Sequence, residues 1–413
     1  MISARKKTKV HSVLLLATML LVSSCATVTA NVPAPKVHGY RFIGTLTALH
    51  PVPPSVDSIN AISCPTESFC MGIASVPEGS SGNYRIYEVE WRINSGWQIP
   101  YNGLITTNGG PYNNNLSCAT PVSCFAAATL PSSINENYVL VWHIPGWSMS
   151  SEVNSNMIAS SCPVAETCFT VGYSGGLVKT LESGSPPTLS VWHPKSGMTI
   201  IGKPTALRSS PDSFPQSLSL SCPTTTWCML VNSQVNLLQY PYVALSWHLG
   251  SGWSAPTTLP FKSTSSPKVA CANDNFCMVI GINHALSWTR GIGWSKPVAI
   301  APGGSRKVTG AGFDALSCPT VNFCFATNSI PSEVSIWCPP THSLSSSLSC
   351  ANSEVSQFFS GASGYILEWI RGKGWSLPKP IFGGNSKNGI PSSCPSDNFC
   401  MIADGPQIME WHR

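Results

Sequence analysis

A pair of cysteines separated by five residues recurs along the chain, and no other feature restricts the possible folds as much. ISCPTESFCMG (62–72), LSCATPVSCFA (116–126), SSCPVAETCFT (160–170), LSCPTTTWCML (220–230), VACANDNFCMV (269–279), LSCPTVNFCFA (316–326) and SSCPSDNFCMI (392–402) are copies of one pattern. A further copy, LSCANSEVSQF (348–358), keeps the first cysteine, Cys350, and carries Ser356 in place of the second. Downstream of the copies come stretches of alternating polarity that end in Trp91, Trp142, Trp192, Trp247, Trp288, Trp337, Trp369 and Trp411. Such alternation belongs to half-buried strands. Most are followed by a turn and a Gly-Trp step, at 96–97, 146–147, 252–253, 293–294 and 374–375.

Each repeat therefore reads as four short strands: one before the first cysteine, one from the second, one ending at the tryptophan and one starting at Gly-Trp. Four-stranded units arrayed end to end predict an all-β fold, a β-propeller. A propeller leaves no exposed sheet edge if its last blade is completed from the other end of the chain. The final repeat stops at Trp411-His412-Arg413, one strand short, while GYRFIGTLTAL (39–49) resembles the outer-strand segment GWSAPTTLPF (252–261). Residues 39–49 are thus expected to close the ring. The preferred count is eight four-stranded blades, the sixth having lost its outer strand because Trp337 and Cys350 stand so close. The alternative is seven blades, with residues 331–360 as an insertion.

The spacing suits a disulfide across a hairpin, since paired Cα atoms need to lie only ~5.5 Å apart, whereas zinc sites use tighter spacings. The expected pairs are Cys64–Cys70, Cys118–Cys124, Cys162–Cys168, Cys222–Cys228, Cys271–Cys277, Cys318–Cys324 and Cys394–Cys400. Cys338 and Cys350 remain as candidate partners of each other. Disulfides on this scale imply an oxidising compartment, and the N-terminus carries an export signal. Arg5, Lys6, Lys7 and Lys9 precede an apolar run from Val13 to Val22, shorter than the ~20 residues a membrane helix needs. The run leads into Val22-Ser23-Ser24-Cys25, which looks like a lipobox, with Cys25 the acylated residue; an ordinary cleavage site near Ala26 or Ala30 is the alternative. The expected organisation is a lipoprotein signal peptide over 1–24, a lipid-anchored linker over 25–38 and a propeller over 39–413, held on the outer face of a bacterial cell membrane.

Charged residues make up 10% of the chain, and no basic cluster marks a nucleic-acid surface. Glu90, Glu368 and Glu410 each precede a tryptophan, but equivalent third-strand positions on adjacent blades lie ~13 Å apart, beyond the ~5–9.5 Å of glycosidase carboxylates. The same spacing argues against His143, His193, His248 and His412 as ligands of one metal. Arg290, Arg371 and Arg413 are expected as exposed turn residues. Serine precedes the first cysteine at Ser63, Ser117, Ser161, Ser221, Ser317, Ser349 and Ser393, a small residue suited to a crowded axis. At the channel mouth, Asn60, Asn114, Asn115 and Asp314 form the candidate ligand-binding set, beside the plainer reading of a water-filled channel. No cofactor is expected.

At the level of these repeats, over roughly 39–413, the chain resembles the SCPS-x4-C repeat proteins exported by actinobacteria and, more distantly, the sialidase-like or BNR-repeat propellers. The sialidase Asp-box carries Ser-x-Asp-x-Gly before its tryptophan. Here Ser95-Gly96-Trp97 and Ser251-Gly252-Trp253 have no aspartate, and the sialidase arginine triad has no counterpart. The resulting expectation is a monomeric, non-catalytic, lipid-anchored module that binds or scaffolds a glycan, a cell-wall polymer or a protein. The alternative is a glycan-active or quinone-dependent propeller enzyme.

Overall fold

The computed structural model describes residues 41–48, 56–78, 83–100, 104–109, 115–129, 137–143, 146–153, 155–174, 186–207, 218–233, 241–262, 266–281, 284–300, 312–329, 362–382 and 389–413. Among these there are seven antiparallel sheets and no helix. From the axis outward, blade 1 comprises Ser58–Thr66, Phe69–Glu78, Asn83–Arg92 and Gly96–Gln98, resuming as Leu104–Gly109. Blade 2 is Leu116–Thr120, Ser123–Thr129, Asn137–His143 and Gly146–Val153; blade 3 is Ser155–Val164, Thr167–Ser174, Thr188–His193 and Gly197–Gly202. Blade 4 runs Leu218–Thr224, Trp227–Ser233, Pro241–His248 and Gly252–Trp253 with Thr257–Lys262; blade 5 runs Lys268–Asn273, Phe276–Ile280, His284–Thr289 and Gly293–Trp294 with Val298–Ala299. Blade 6 holds Phe313–Thr320, Phe323–Ser329, Ala362–Ile370 and Gly374–Trp375 with Lys379–Phe382. The outer strands of blades 1, 4, 5 and 6 are split beside Pro100, Pro256, Pro297 and Pro378, because proline cannot donate to the ladder.

Blade 7 is completed across the chain ends. Ser392–Ser393, Phe399–Asp404 and Gln407–His412 are joined by Thr45–Ala48, with Thr45 opposite His412 and Leu46 opposite Trp411. The inner strands neighbour one another in chain order around the axis, and blade 7 returns to blade 1. The ring is therefore closed, as the repeat pattern requires.

The blades number seven, the alternative count, and not the preferred eight, for a clear reason. Cys324 in the second strand of blade 6 stands opposite Trp369, not Trp337. Residues 330–361 thus connect the second and third strands of a single blade, and that blade has its outer strand. Trp337, Cys338 and Cys350 fall in this connection, outside the described residues, as do Cys25, the signal segment and linker, and Asn114.

The repeated residues are a transverse line through each blade. Seven disulfides join the predicted pairs with Cα atoms 3.9–4.1 Å apart. The second cysteine faces the third-strand tryptophan, as in Cys70 with Trp91 and Cys228 with Trp247. That tryptophan in turn faces the Gly-Trp step, as in Trp91 with Trp97 and Trp369 with Trp375. In four blades the aromatic residue before the second cysteine stacks on a neighbouring blade's tryptophan: Trp227 on Trp288 at 5.4 Å, Phe276 on Trp369 at 5.3 Å, Phe323 on Trp411 at 5.0 Å and Phe399 on Trp91 at 5.8 Å. Large aromatic areas and offset ring contacts thus supply much of the apolar burial between blades.

A second device runs around the axis. The Oγ of the serine before the first cysteine accepts the N–H of the next blade's first cysteine: Ser63 from Cys118, Ser117 from Cys162 and Ser161 from Cys222, each at 2.9 Å. Ser221 accepts from Cys271 at 3.0 Å, Ser317 from Cys394 at 3.2 Å and Ser393 from Cys64 at 2.9 Å. The inner strands expose backbone donors to their neighbours, and buried donors need partners. Serine is both small enough for the axis and able to supply the acceptor. Blade 5 has Ala270 at this position, so the belt skips its junction with blade 6.

Candidate functional site

The ring has two rims. At the lower one the cysteine loops lie beside the turns between third and fourth strands, joined by backbone bonds such as Leu249 N to Thr226 O at 2.9 Å and Arg371 N to Asn322 O at 3.0 Å. The inner strands begin at the upper rim. Near that end, three of them carry an extra residue, at Asn60, Ile158 and Asp314. Such bulges turn a side chain out of its regular alternation.

Asp314, in blade 6, is the centre of a polar cluster. Its Oδ2 accepts the N–H groups of Ser329 and, at 3.0 Å, of Ile390 in the lead-in to blade 7. Gly389, at φ +93°, approaches so closely that a Cβ there would stand 2.8 Å from Oδ1. Burial raises the Asp314 carboxyl above the usual range, opposed by these donors and by the charge of Lys268 from blade 5. Burial lowers the Lys268 ammonium, opposed by Asp314. Tyr365, on the third strand of blade 6, is raised by burial and further by Asp314. His284, at the start of the third strand of blade 5, is lowered by burial.

Two fully buried groups near the same ends have unused hydrogen-bonding capacity. Neither amide atom of Asn328 has a partner, and Asp404 accepts from Ser363 through Oδ2 while its Oδ1 has none. Leaving such an atom unpaired costs about 1–3 kcal/mol; ordered water or a ligand's polar group would remove that cost. Both residues stand four places after a second cysteine, where blade 4 carries the buried Asn232 and the remaining blades carry Ala74, Ala128, Gly172 and Gly281. A polar residue in a column of small ones was the signal in the sequence for Asn328 and Asp404. Lys268 had no comparable signal.

The other predicted residues are placed as follows. Asn60 is buried, its Oδ1 accepting from Ser58 Oγ at 3.0 Å, and Ser58 also bonds Ser75 at 2.8 Å. Asn115 donates from Nδ2 to Met157 O of blade 3 at 3.4 Å. Glu90 is ion-paired with Arg92 at 2.9 Å and Glu410 lies 2.9 Å from His412. Glu368, which like Glu90 and Glu410 precedes a third-strand tryptophan, is by contrast fully buried: it accepts Trp411 Nε1–H at 2.8 Å, Gly44 N–H at 2.9 Å and Ile43 N–H at 3.2 Å. It holds the closing segment. His193 bonds Thr167 and Glu166 O, and His248 accepts from Trp227 Nε1 at 3.1 Å. Arg290 and Arg371 are exposed turn residues, paired with Asp274 and bonded to Val321 O. Among the described residues no three His, Cys, Asp or Glu side chains gather as a metal site.

The sequence matches no protein-family profile and no curated protein. Solved structures with a similar course of the chain include a protein from Lactobacillus plantarum, 9% identical over 82% of this chain and 89% of that one, with a TM-score of 0.51. The WD40 β-propeller domain of Doa1 is 8% identical over 90% and 98%, TM-score 0.50. The Aleuria aurantia lectin, solved with Fucα1-6GlcNAc, is 14% identical over 81% and 99%, TM-score 0.47. The shared feature is the propeller. At these identities the likeness shows the fold and nothing of the ligand.

Proposed function

We propose that the protein is a non-catalytic binding or scaffold module, exported and acylated at Cys25, that holds a glycan, a cell-wall polymer or a protein at the upper rim around Asp314. The supporting observation is the contrast between two sets of polar groups. Glu90, Glu368 and Glu410 are each engaged by a partner within the protein, whereas Asn328 and Asp404 retain unpaired atoms at the strand ends beside Asp314 and Ser363. The connection 330–361, with Cys338 and Cys350 as a proposed eighth disulfide, leaves blade 6 from Ser329, whose N–H is bound by Asp314.

The test is a glycan and cell-wall-polymer array probed with the mature protein and with Asp314→Asn and Asn60→Ala variants. Binding weakened by Asp314→Asn in a folded protein is the expected result. Binding indifferent to both substitutions would move the site elsewhere. The enzymatic reading is favoured by one observation, the opposed shifts of Asp314 and Lys268, since perturbed acid–base pairs gather at reactive sites. Turnover of an array ligand, lost in Lys268→Met, would decide for it.

A further inference from the structure

The lower rim carries a second feature that the upper-rim reading does not use. Among the described residues, the large apolar side chains left exposed are of two kinds. Ile200, Val298, Leu377 and Phe382 lie on or beside outer strands, while Ile43, Ile93, Val122, Val164, Leu249 and Ile292 lie at the lower rim. Within the second group, Ile93, Leu249 and Ile292 are tips of the turns between third and fourth strands and are 64%, 65% and 84% exposed. Val122 and Val164 belong to cysteine loops. Single exposed apolar residues are ordinary on a protein surface. Here turn tips and loops of five successive blades, 1 to 5, present them along one rim.

We propose that this rim rests on a phospholipid bilayer, with the apolar tips entering the interface. Three features select a bilayer over a protein partner. A protein hot spot concentrates its anchors in one contiguous pocket, but these tips are dispersed over successive blades, an arrangement that suits a broad, flat apolar medium. Beside the tips stand cationic side chains with long apolar stems, Lys195 in blade 3 and Arg290, paired with Asp274, in blade 5, followed by Arg371 and Lys373 in the corresponding turn of blade 6, a type that keeps its charge in the headgroups while its stem contacts acyl chains. The third is the direction of the chain: the closing strand begins at this rim, with Thr45 opposite His412, so an anchor at Cys25 would lead to it through residues 26–44. The proposal extends the anchored-module reading and takes only this orientation from it.

The experiment uses residues 37–413, which form one compact unit and carry no acyl chain, so that the rim alone is measured. The protein is sedimented with vesicles of phosphatidylethanolamine and phosphatidylglycerol. Cosedimentation is expected, weakened roughly tenfold or more in the triple variant Ile93→Ser, Leu249→Ser, Ile292→Ser and unchanged in Ile200→Ser, Phe382→Ser, whose side chains lie on outer strands. Because the tips are exposed, their loss leaves folding intact, which thermal melting verifies. Failure of the parent to bind vesicles, equal loss in both variants, or self-association that the triple variant abolishes would overturn the proposal. Incorporation of labelled palmitate at Cys25 of the full chain reads the anchor separately, so either idea can fail without the other.

Discussion

Replacing Glu88 with glutamine should stabilise the protein, increasingly so as the solution is made alkaline. Glu88 lies on the third strand of blade 1 and is 1% exposed. Its Oε2 accepts Trp147 Nε1–H of blade 2 at 2.8 Å, and its Oε1 has no partner. Burial, and next the negative charge of Glu90, push its carboxyl from 4.5 up to about 8, with the Trp147 bond acting in the opposite direction. The folded protein therefore holds a proton here that the unfolded chain releases near pH 4.5. The neutral acid is accommodated below that pH, and stability is lost progressively as the pH rises toward 8, by about 4–5 kcal/mol in full. Glutamine keeps the acceptor for Trp147 and carries no charge. The assay is thermal or guanidinium unfolding of Glu88→Gln beside the parent at pH 5, 7 and 9. Near-equality at pH 5 and a widening advantage for the variant by pH 9 are expected, and other titrating groups cancel in the difference. A gap that stays flat across this range would refute the reasoning.

Four further variants test how the ring is held. Gly44→Ala should lower the melting temperature and speed amide exchange over 407–412, because the new Cβ would stand 1.7 Å from Trp411 Nε1; unchanged exchange would mean that the closing strand is placed differently. Ser221→Ala should cost about 1 kcal/mol by removing the acceptor of Cys271 N, and Ala270→Ser should return a similar amount at the junction lacking this bond, both read by calorimetry; equal and opposite signs are the expected signature. Replacing both Cys222 and Cys228 with alanine removes a short loop constraint of about 2 kcal/mol, and a loss well beyond that in denaturant titration would show that the sulfur atoms contribute chiefly through packing.

Much of the architecture was legible because its determinants are local and repeated. A cysteine spacing that spans one hairpin, a tryptophan at a fixed place opposite it and a missing strand at one end that is supplied at the other all survive reading in one dimension. Blade number stayed open between eight and seven, since Trp337 and Cys350 resemble repeat elements while lying between two strands of the same blade. Pairing partners decide that question, and spacing alone does not contain them. Ser63 and its equivalents were recognised as small but not as acceptors, because the donor belongs to the next blade. Glu368 shared its sequence context with Glu90 and Glu410, yet only Glu368 meets the N–H groups of Ile43 and Gly44, more than three hundred positions away. At the candidate site Asp314 was visible as a lone acid near a strand start, and its engagement with Lys268 and Ile390 follows from bulge geometry and blade adjacency.

The pairing of Thr45–Ala48 with Gln407–His412 also sets an order of events. Thr45–Ala48 leaves the ribosome long before its partner and must wait, without that neighbour, until Gln407–His412 has been made. Contacts this distant in sequence are slow to form, and an unpaired apolar edge is prone to wrong association in the interval. A premature stop before Gln407 would leave most of the blades intact and yet deprive Leu46, Glu368 and Phe323 of their common partner, so that damage at one terminus would be felt first at the other.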